Sequence, residues 1–327
     1  MGIAAGLARV FMALGSTEPA PDDVSLGEIF QHSDFLAAPA AARHARLAAS
    51  AEHRRADERT YPFDRYFGRD LRLLLGGAVA LDLGCFTGGR SAAWIERYGI
   101  ARLVGIDVDP RIVAGARRFA AAEGLPADFA SGVGEALPFA AATFDAILSF
   151  DVFEHVQDPE RVLAECRRVL KPGGRLYAVF PSYWHPTEHH LGLVTRTPCL
   201  HWCFRGRDLV RAYDAIIAAR GARATWYRRA SPELRPWERG HTLNGTTHAR
   251  FVALARAVGF ETVAMPLTPL FTAGRAVERR PLLRVLGPLC AALARVPGLR
   301  ELVLHRVVAI VARPVARSGD TAADLTR

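Results

Sequence analysis

Lysine is almost missing from this chain: among its 327 residues and 42 basic side chains, Lys171 is the sole lysine and the rest are arginine. Cysteine is scarce and odd in number, with Cys85, Cys166, Cys199, Cys203 and Cys290 at no regular spacing. That pattern excludes a disulfide framework and predicts reduced thiols in a cytoplasmic protein. Cys199, His201 and Cys203 lie close in sequence but lack a second matched pair, so they read as a packed loop and no metal is expected. No uncharged apolar run reaches the roughly 18 residues that a membrane-spanning helix needs. The greasiest stretch, Pro281 to Pro314, is broken by Arg284, Arg295, Arg300, Glu301 and Arg306. Met1 to Gly15 lacks the basic opening of a secretory signal, and Arg9 interrupts it. There is no block of like charge, no basic stripe interleaved with aromatics and no internal repeat, so nucleic acid is not an expected partner.

What is present fits an enzyme-sized globular chain. Half of the residues are apolar and 23% are charged, enough for a large core. The net charge of +9 favours an anionic acceptor and permits peripheral contact with an anionic membrane, and the apolar C-terminal segments allow a lipid-linked acceptor. The oligomeric state is not readable.

Strand and helix patterns alternate through the middle of the chain. Gly77 to Gly84 reads as a buried strand, Arg102 to Asp107 as the next, and a helix opens at Pro110, a favoured first-turn residue. Ala127 to Ser131 and Phe144 to Phe150 read as strands. Pro159 to Leu170 reads as a helix stopped by Lys171-Pro172-Gly173-Gly174 before a strand over Arg175 to Phe180. Such alternation predicts a doubly wound α/β fold with a mostly parallel sheet. Residues 1–75 read as an N-terminal helical region, 76–181 as the core and 182–240 as an irregular cap rich in His, Trp, Arg and Pro. Residues 241–313 read as the completion of the sheet, with a helix over Thr246 to Val258, strands over Glu261 to Leu267 and within Glu301 to Ala312, and helices between. Residues 314–327 read as a loose tail. Trp184, Trp202, Phe204, Trp226 and Trp237 either wall a pocket in the cap or fill core.

The chemistry concentrates at Leu81-Asp82-Leu83-Gly84-Cys85-Phe86-Thr87-Gly88-Gly89, between the first strand and its helix. Glycines there permit a tight turn and close approach of backbone N–H groups to a ligand. Asp107 ends the second strand, where a carboxylate can accept hydrogen bonds from both hydroxyls of a ribose. The G-x-G-x-x-G fingerprint of dinucleotide sites is missing, which disfavours a nicotinamide oxidoreductase. The segment resembles motif I of the class I S-adenosylmethionine-dependent methyltransferases. Four further segments resemble that family in order: Gly105 to Pro110, Gly134 to Ile147, Phe153 to Val156, and Arg168 to Gly174. The resemblance spans about Leu71 to Pro181, and a lid-like stretch from His189 to Trp202 resembles relatives in glycan and secondary metabolism. It implies a seven-stranded sheet and S-adenosylmethionine as cofactor. By position it implies Asp82 near the methionine amino group, Gly84 and Gly88 as floor with Cys85 and Phe86 completing the turn, Asp107 on the ribose, Val108 against adenine, Gly134 and Glu135 at its edge, and the Phe150 carbonyl toward the amino group. Phe86 stands where the family has its middle glycine, and Val133 where relatives carry an adenine-binding Asp.

Methyl transfer to a hydroxyl needs alignment and loss of one proton. His155, after the fourth strand, and His189 and His190, after the fifth, are the candidate bases, with Tyr183, Trp184 and His185 as candidate substrate contacts. The expected activity is O-methylation of a small or medium metabolite such as a glycan, glycoside or secondary metabolite. The alternatives are a non-catalytic scaffold, which Phe86 and Val133 motivate, and a nucleic-acid methyltransferase, disfavoured because Ser149-Phe150-Asp151-Val152 does not match the usual Asn/Asp-Pro-Pro-aromatic run.

Overall fold

A computed structural model of the chain describes residues 2–18, 35, 37–192, 194–220, 243–272, 277–278 and 281–315. Trp226, Trp237, part of the expected cap and most of the tail lie outside the described residues.

The strands are β1 (Val79–Leu83), β2 (Arg102–Asp107), β3 (Ala127–Ser131), β4 (Phe144–Phe150), β5 (Leu170–Phe180), β6 (Glu261–Ala264), β7 (Thr268–Pro269) and β8 (Leu304–Ala312). They form one sheet in the order β3-β2-β1-β4-β5-β8-β6, with the two-residue β7 paired to β8 as an eighth strand. The first five in that order are mutually parallel, and β8 runs antiparallel to both β5 and β6. This is the expected mostly parallel sheet. Strand order reverses between β1 and β4, the place where open α/β sheets leave a crevice beyond their carboxyl ends.

Helices cover both faces. In chain order we name α1 (Ile3–Leu14), α2 (Ala40–Thr60), α3 (Gly89–Tyr98), α4 (Pro110–Glu123), α5 (Pro159–Val169), α6 (Gly206–Arg220) and α7 (His248–Ala257). Alternate residues of the strands supply the two cores. Leu81, Ile147, Leu176 and Val311 pack toward Val162, Leu163 and Phe251 of α5 and α7. Ala80, Leu148, Tyr177 and Ile310 pack toward Trp94, Tyr98, Phe63 and Phe67. Helix starts follow local chemistry: the carboxylates of Asp109 and Asp158 cap α4 and α5, each followed by proline, and the Thr247 hydroxyl caps α7.

Lys171-Pro172-Gly173-Gly174 is not the simple stop expected. These residues lie inside β5, where the Phe144 to Ala146 register shift absorbs them. Gly173, at φ +80°, donates its N–H to the Arg313 carbonyl, and Gly174 accepts from the Arg313 N–H. Lys171 reaches Asp145 at 2.8 Å, and the same carboxylate accepts from the Val79 amide at 3.0 Å. The sole lysine thus fastens the start of β5 to β4 and β1.

The cap is built jointly with the N-terminal helix. α1 packs against α6, and a third apolar cluster joins Ala8 and Met12 to Leu191, Val194, Leu209 and Ala212. The Thr195 and Thr197 hydroxyls donate to the Met12 and Phe11 carbonyls at 2.7 and 2.9 Å.

Candidate functional site

The turn after β1 places four successive residues around one narrow cleft. Gly84, at φ +81°, has Val152 where a Cβ would stand, only 2.2 Å away, so no other residue fits there. Gly89 opens α3 with space for a Cβ only 1.9 Å from the Ala51 carbonyl oxygen of α2. This close approach brings α2, and Arg54 with it, over the turn. Asp82, Gly84, Cys85, Phe86 and Phe150 line the cleft as the sequence implied, together with Arg54, Thr87, Gly89, Arg90 and Trp94, which sequence reasoning missed. A larger open depression, lined by His248, Arg256, Met265 and Arg300 among others, shares no residue with it.

The cleft carries charges of both signs. Asp82 is buried and accepts from the Ser91 hydroxyl. Desolvation pushes its carboxyl up to about 7 against that bond. Opposite stand two guanidinium groups: Arg54 lies 5.6 Å from the Phe86 ring centroid and Arg90 lies 3.9 Å from that of Phe150. Glu58, buried behind Arg90 at 3.8 Å, is likewise pushed up to about 7 by burial. A carboxylate facing two arginines matches the ammonium and carboxylate of an amino-acid end group. The Thr87 hydroxyl is buried in the wall of the cleft without a protein partner, a donor left for a ligand.

At the other end, Asp107 closes β2. Its two oxygens accept from the amides of Phe86 at 3.0 Å and Asp109 at 3.2 Å. Burial raises its pKa, with those amides pulling the other way. The bond to Phe86 fixes the glycine turn against the end of β2, leaving the remaining lone pairs for hydroxyls. Val108 is 69% exposed and Val133 46% exposed. Gly88, at φ +79°, caps α3. Gly134 is half-buried. The Glu135 carboxylate is taken up by the Gln157 and Asp158 amides at 2.9 and 3.3 Å and its carbonyl accepts from Arg161 at 2.9 Å, so it braces two loops. These residues fit S-adenosylmethionine: charge pairs at the amino-acid end, a carboxylate at the ribose position and apolar surface beyond. Phe86, at φ +49°, lines the narrow cleft. Its ring turns toward the apolar cluster under the cap.

The candidate bases separate on inspection. His189 is buried; its Nε2 lies 2.8 Å from the Thr197 carbonyl, and its Nδ1 accepts from the Leu191 amide at 3.2 Å. Both nitrogens serve the cap. His185 is also spent internally, on His305 at 3.1 Å and on the Thr187 amide, which leaves it no free atom for a substrate. His201 holds the Tyr183 carbonyl at 2.8 Å, Cys199 is half-buried and Cys203 is exposed. His155 and His190 do meet, with ring centroids 4.7 Å apart. The His155 side chain is 37% exposed, while burial pulls the His190 imidazole down to about 3. Tyr183 and Trp184 are half-buried and in edge contact, and Trp184 meets Trp202 in the same manner. Asn244, which no motif announced, donates to the Phe153 and Val156 carbonyls, both at 2.7 Å, and clamps the segment carrying His155.

Comparison with known proteins agrees with this geometry. Residues 81–178 match the family described as "Methyltransferase domain". A ubiquinone biosynthesis O-methyltransferase of Cereibacter sphaeroides is 39% identical over 142 residues, covering 43% of this chain and 56% of the relative. That of Xanthomonas oryzae is 28% identical over 204 residues, covering 56% of this chain and 78% of the relative. An S-adenosylmethionine-dependent methyltransferase structure from Mesorhizobium loti shares 18% identity at a TM-score of 0.47, over 73% of this chain and 93% of that one. The chain spans about half the length of the first of these relatives. The ordered motifs, the sheet order and the family match agree over the core: residues 81–178 form a methyltransferase domain.

Proposed function

We propose that the chain methylates a hydroxyl of a small or medium-sized metabolite, with the acceptor held between the cofactor cleft and the cap. The observation that carries this is the continuity of the two sites: Phe150 lines the cofactor cleft, and the five residues after it lead to His155, paired with His190 of the cap segment. S-adenosylmethionine, when bound, supplies a methyl group already activated on a sulfonium. Everything else falls to this chain's residues. Asp82 would take the ammonium, Arg54 and Arg90 the carboxylate, and Asp107 the ribose hydroxyls. The His155–His190 pair would handle the acceptor's proton, and the half-buried Tyr183 and Trp184 would contact the acceptor. The cap, tied down by Thr195 and Thr197, would exclude water. Relatives named O-methyltransferases support oxygen as the acceptor atom. The net charge of +9 supports an anionic acceptor such as a carboxylated phenol or a glycoside.

A lipid-linked acceptor is the second reading. α1 exposes Ile3, Leu7, Val10, Phe11 and Leu14 while burying Ala5, Ala8 and Met12 against the cap, a face suited to a membrane surface. Among the described residues no helix is long and apolar enough to cross a membrane.

The test is to incubate the purified chain with methyl-labelled S-adenosylmethionine and a panel of anionic hydroxylated acceptors, free and in vesicles. Label should enter at least one acceptor with stoichiometric S-adenosylhomocysteine release. Cofactor binding with no transfer to any hydroxyl would turn the reading toward a non-catalytic role.

A further inference from the structure

We propose that Glu154, His155 and His190 form a site for one divalent transition-metal ion. Each offers a ligand atom, and the three atoms lie within 4.8 Å of one another. The His155 Nε2 to Glu154 Oε1 separation is 3.7 Å. Ligands about 2.1 Å from a tetrahedral ion stand roughly 3.4 Å apart, so small side-chain rotations close the set.

Three observations point to a cation rather than to chance proximity. First, Glu154 is 2% exposed, and neither carboxylate oxygen has a hydrogen-bond partner. Burying an unmatched carboxylate is costly, and native proteins pair such groups or give them to a metal. Second, the nearest cation makes its contact with another carboxylate. The Arg306 guanidinium contacts the Asp151 carboxylate and lies 5.3 Å from the Phe150 ring centroid, and it makes no hydrogen bond to Glu154. Third, the ligand-bearing backbone is held. Asn244 accepts nothing from this segment but donates three times, through its amide to the Glu154 carbonyl at 2.8 Å and through Nδ2 to Phe153 and Val156. His190 sits at φ +56°, a conformation that non-glycine residues keep where the surroundings enforce it and that concentrates at functional positions.

Two imidazoles and one carboxylate are the donor set of zinc, iron, cobalt or manganese, whereas magnesium and calcium prefer all-oxygen shells. Three protein ligands leave coordination positions open, as at catalytic sites. Resting on the methyl-transfer reading, the ion would take the acceptor hydroxyl and lower its pKa; the hydroxyl proton would then pass to solvent water, since the ligating imidazoles could not accept it, and the His155–His190 pair would act on the proton only by holding the ion.

The experiment uses the full-length, tag-free chain stripped with chelator and titrated with cobalt(II) chloride. One equivalent should give visible d–d absorption, and zinc chloride should displace it. Glu154→Gln and His190→Asn should each weaken cobalt binding by more than about 100-fold, beyond the 10–100-fold typical of an outer-shell change. Cys199→Ser/Cys203→Ser should leave it unchanged. Circular dichroism and S-adenosylhomocysteine titration on the same samples separate metal loss from misfolding; if one ligand variant does not fold, the other carries the test. Absent d–d bands at saturating cobalt, or bands that persist in both ligand variants, overturn the site and mean that Glu154 is simply protonated. Wild-type protein that binds cobalt but not S-adenosylhomocysteine would overturn the methyl-transfer reading and leave the metal site standing. Transfer at full rate by chelated protein would remove the ion from the reaction.

Discussion

In the sheet half of the molecule, Asp82, Arg54 and Arg90 line one narrow cleft, and Asp107 at the end of β2 holds the turn beside it. In the cap half polar side chains face one another. His189 holds Thr197, His185 meets His305, His201 holds Tyr183, and Thr195 reaches Met12. The first arrangement presents charge to a cleft; the second satisfies buried polar groups within the packed segment. Both halves bury titratable groups, but with opposite consequences. Burial raises Asp82 and Glu58 beside the cleft and depresses His201 of the cap and His305 of β8 beneath it.

Substitutions should separate the halves. The largest effect is expected from Gly89→Ala. Its Cβ would stand 1.9 Å from the Ala51 carbonyl oxygen, so α2 and α3 must part, at a cost of about 3 kcal/mol. Thermal melting should show it, and an unchanged Tm would mean that the two helices are not in close contact. His190→Ala should lower kcat by about 100-fold with cofactor affinity unchanged. His189→Ala should instead loosen the cap, read as faster proteolysis between α1 and α6. Replacing both should spare cofactor affinity and lower turnover; full activity would remove the histidine pair from the reaction. Asp107→Ala should weaken cofactor binding more than about tenfold, since ribose bonds and the Phe86 anchor are lost together. Equal affinity would take Asp107 out of the site.

The pH response distinguishes the halves most finely. His201 and His305 are drawn down to about 4 and His190 to about 3 from an ordinary 6.5. The unfolded chain therefore binds more protons than the folded one between those values. Their contribution to stability is present above about pH 6.5 and is lost as pH falls toward 4. Asp82 and Glu58, raised to about 7, act in the reverse sense: their contribution is present below the ordinary carboxyl range and is lost as pH rises through 7. Hydrogen exchange at pH 7 and pH 5 should show the cap amides of 194–220 less protected at the lower pH, with those of β1 and α3 equally or better protected. Uniform change in both halves would contradict the assignment.

The contrast also explains what could be read from the chain alone. The cofactor cleft was legible because its parts follow consecutive strands at short range: Asp82 and Gly84 after β1, Asp107 at the end of β2, Phe150 at the end of β4. Arg90 adjoins the glycine run and a charge there could have been noticed; Arg54 had no signal, since it arrives only because Gly89 admits α2. The roles of the cap histidines were not legible, because a ring nitrogen's partner is set by tertiary contact: His185 and His305 are 120 residues apart. The same holds for Lys171-Pro172-Gly173-Gly174, a turn by local preference that becomes strand only because Arg313 pairs with it. Asn244 had no motif at all, although its clamp decides where Glu154 and His155 stand.

The most direct test of the account is calorimetric titration of S-adenosylhomocysteine, S-adenosylmethionine and NADH into the wild-type chain and Asp107→Ala. Micromolar binding of the two sulfur nucleosides by wild type, weakened at least about tenfold in the variant, with no uptake of NADH, is the predicted result. Failure of wild type to bind either nucleoside, or equal binding of NADH, would contradict it.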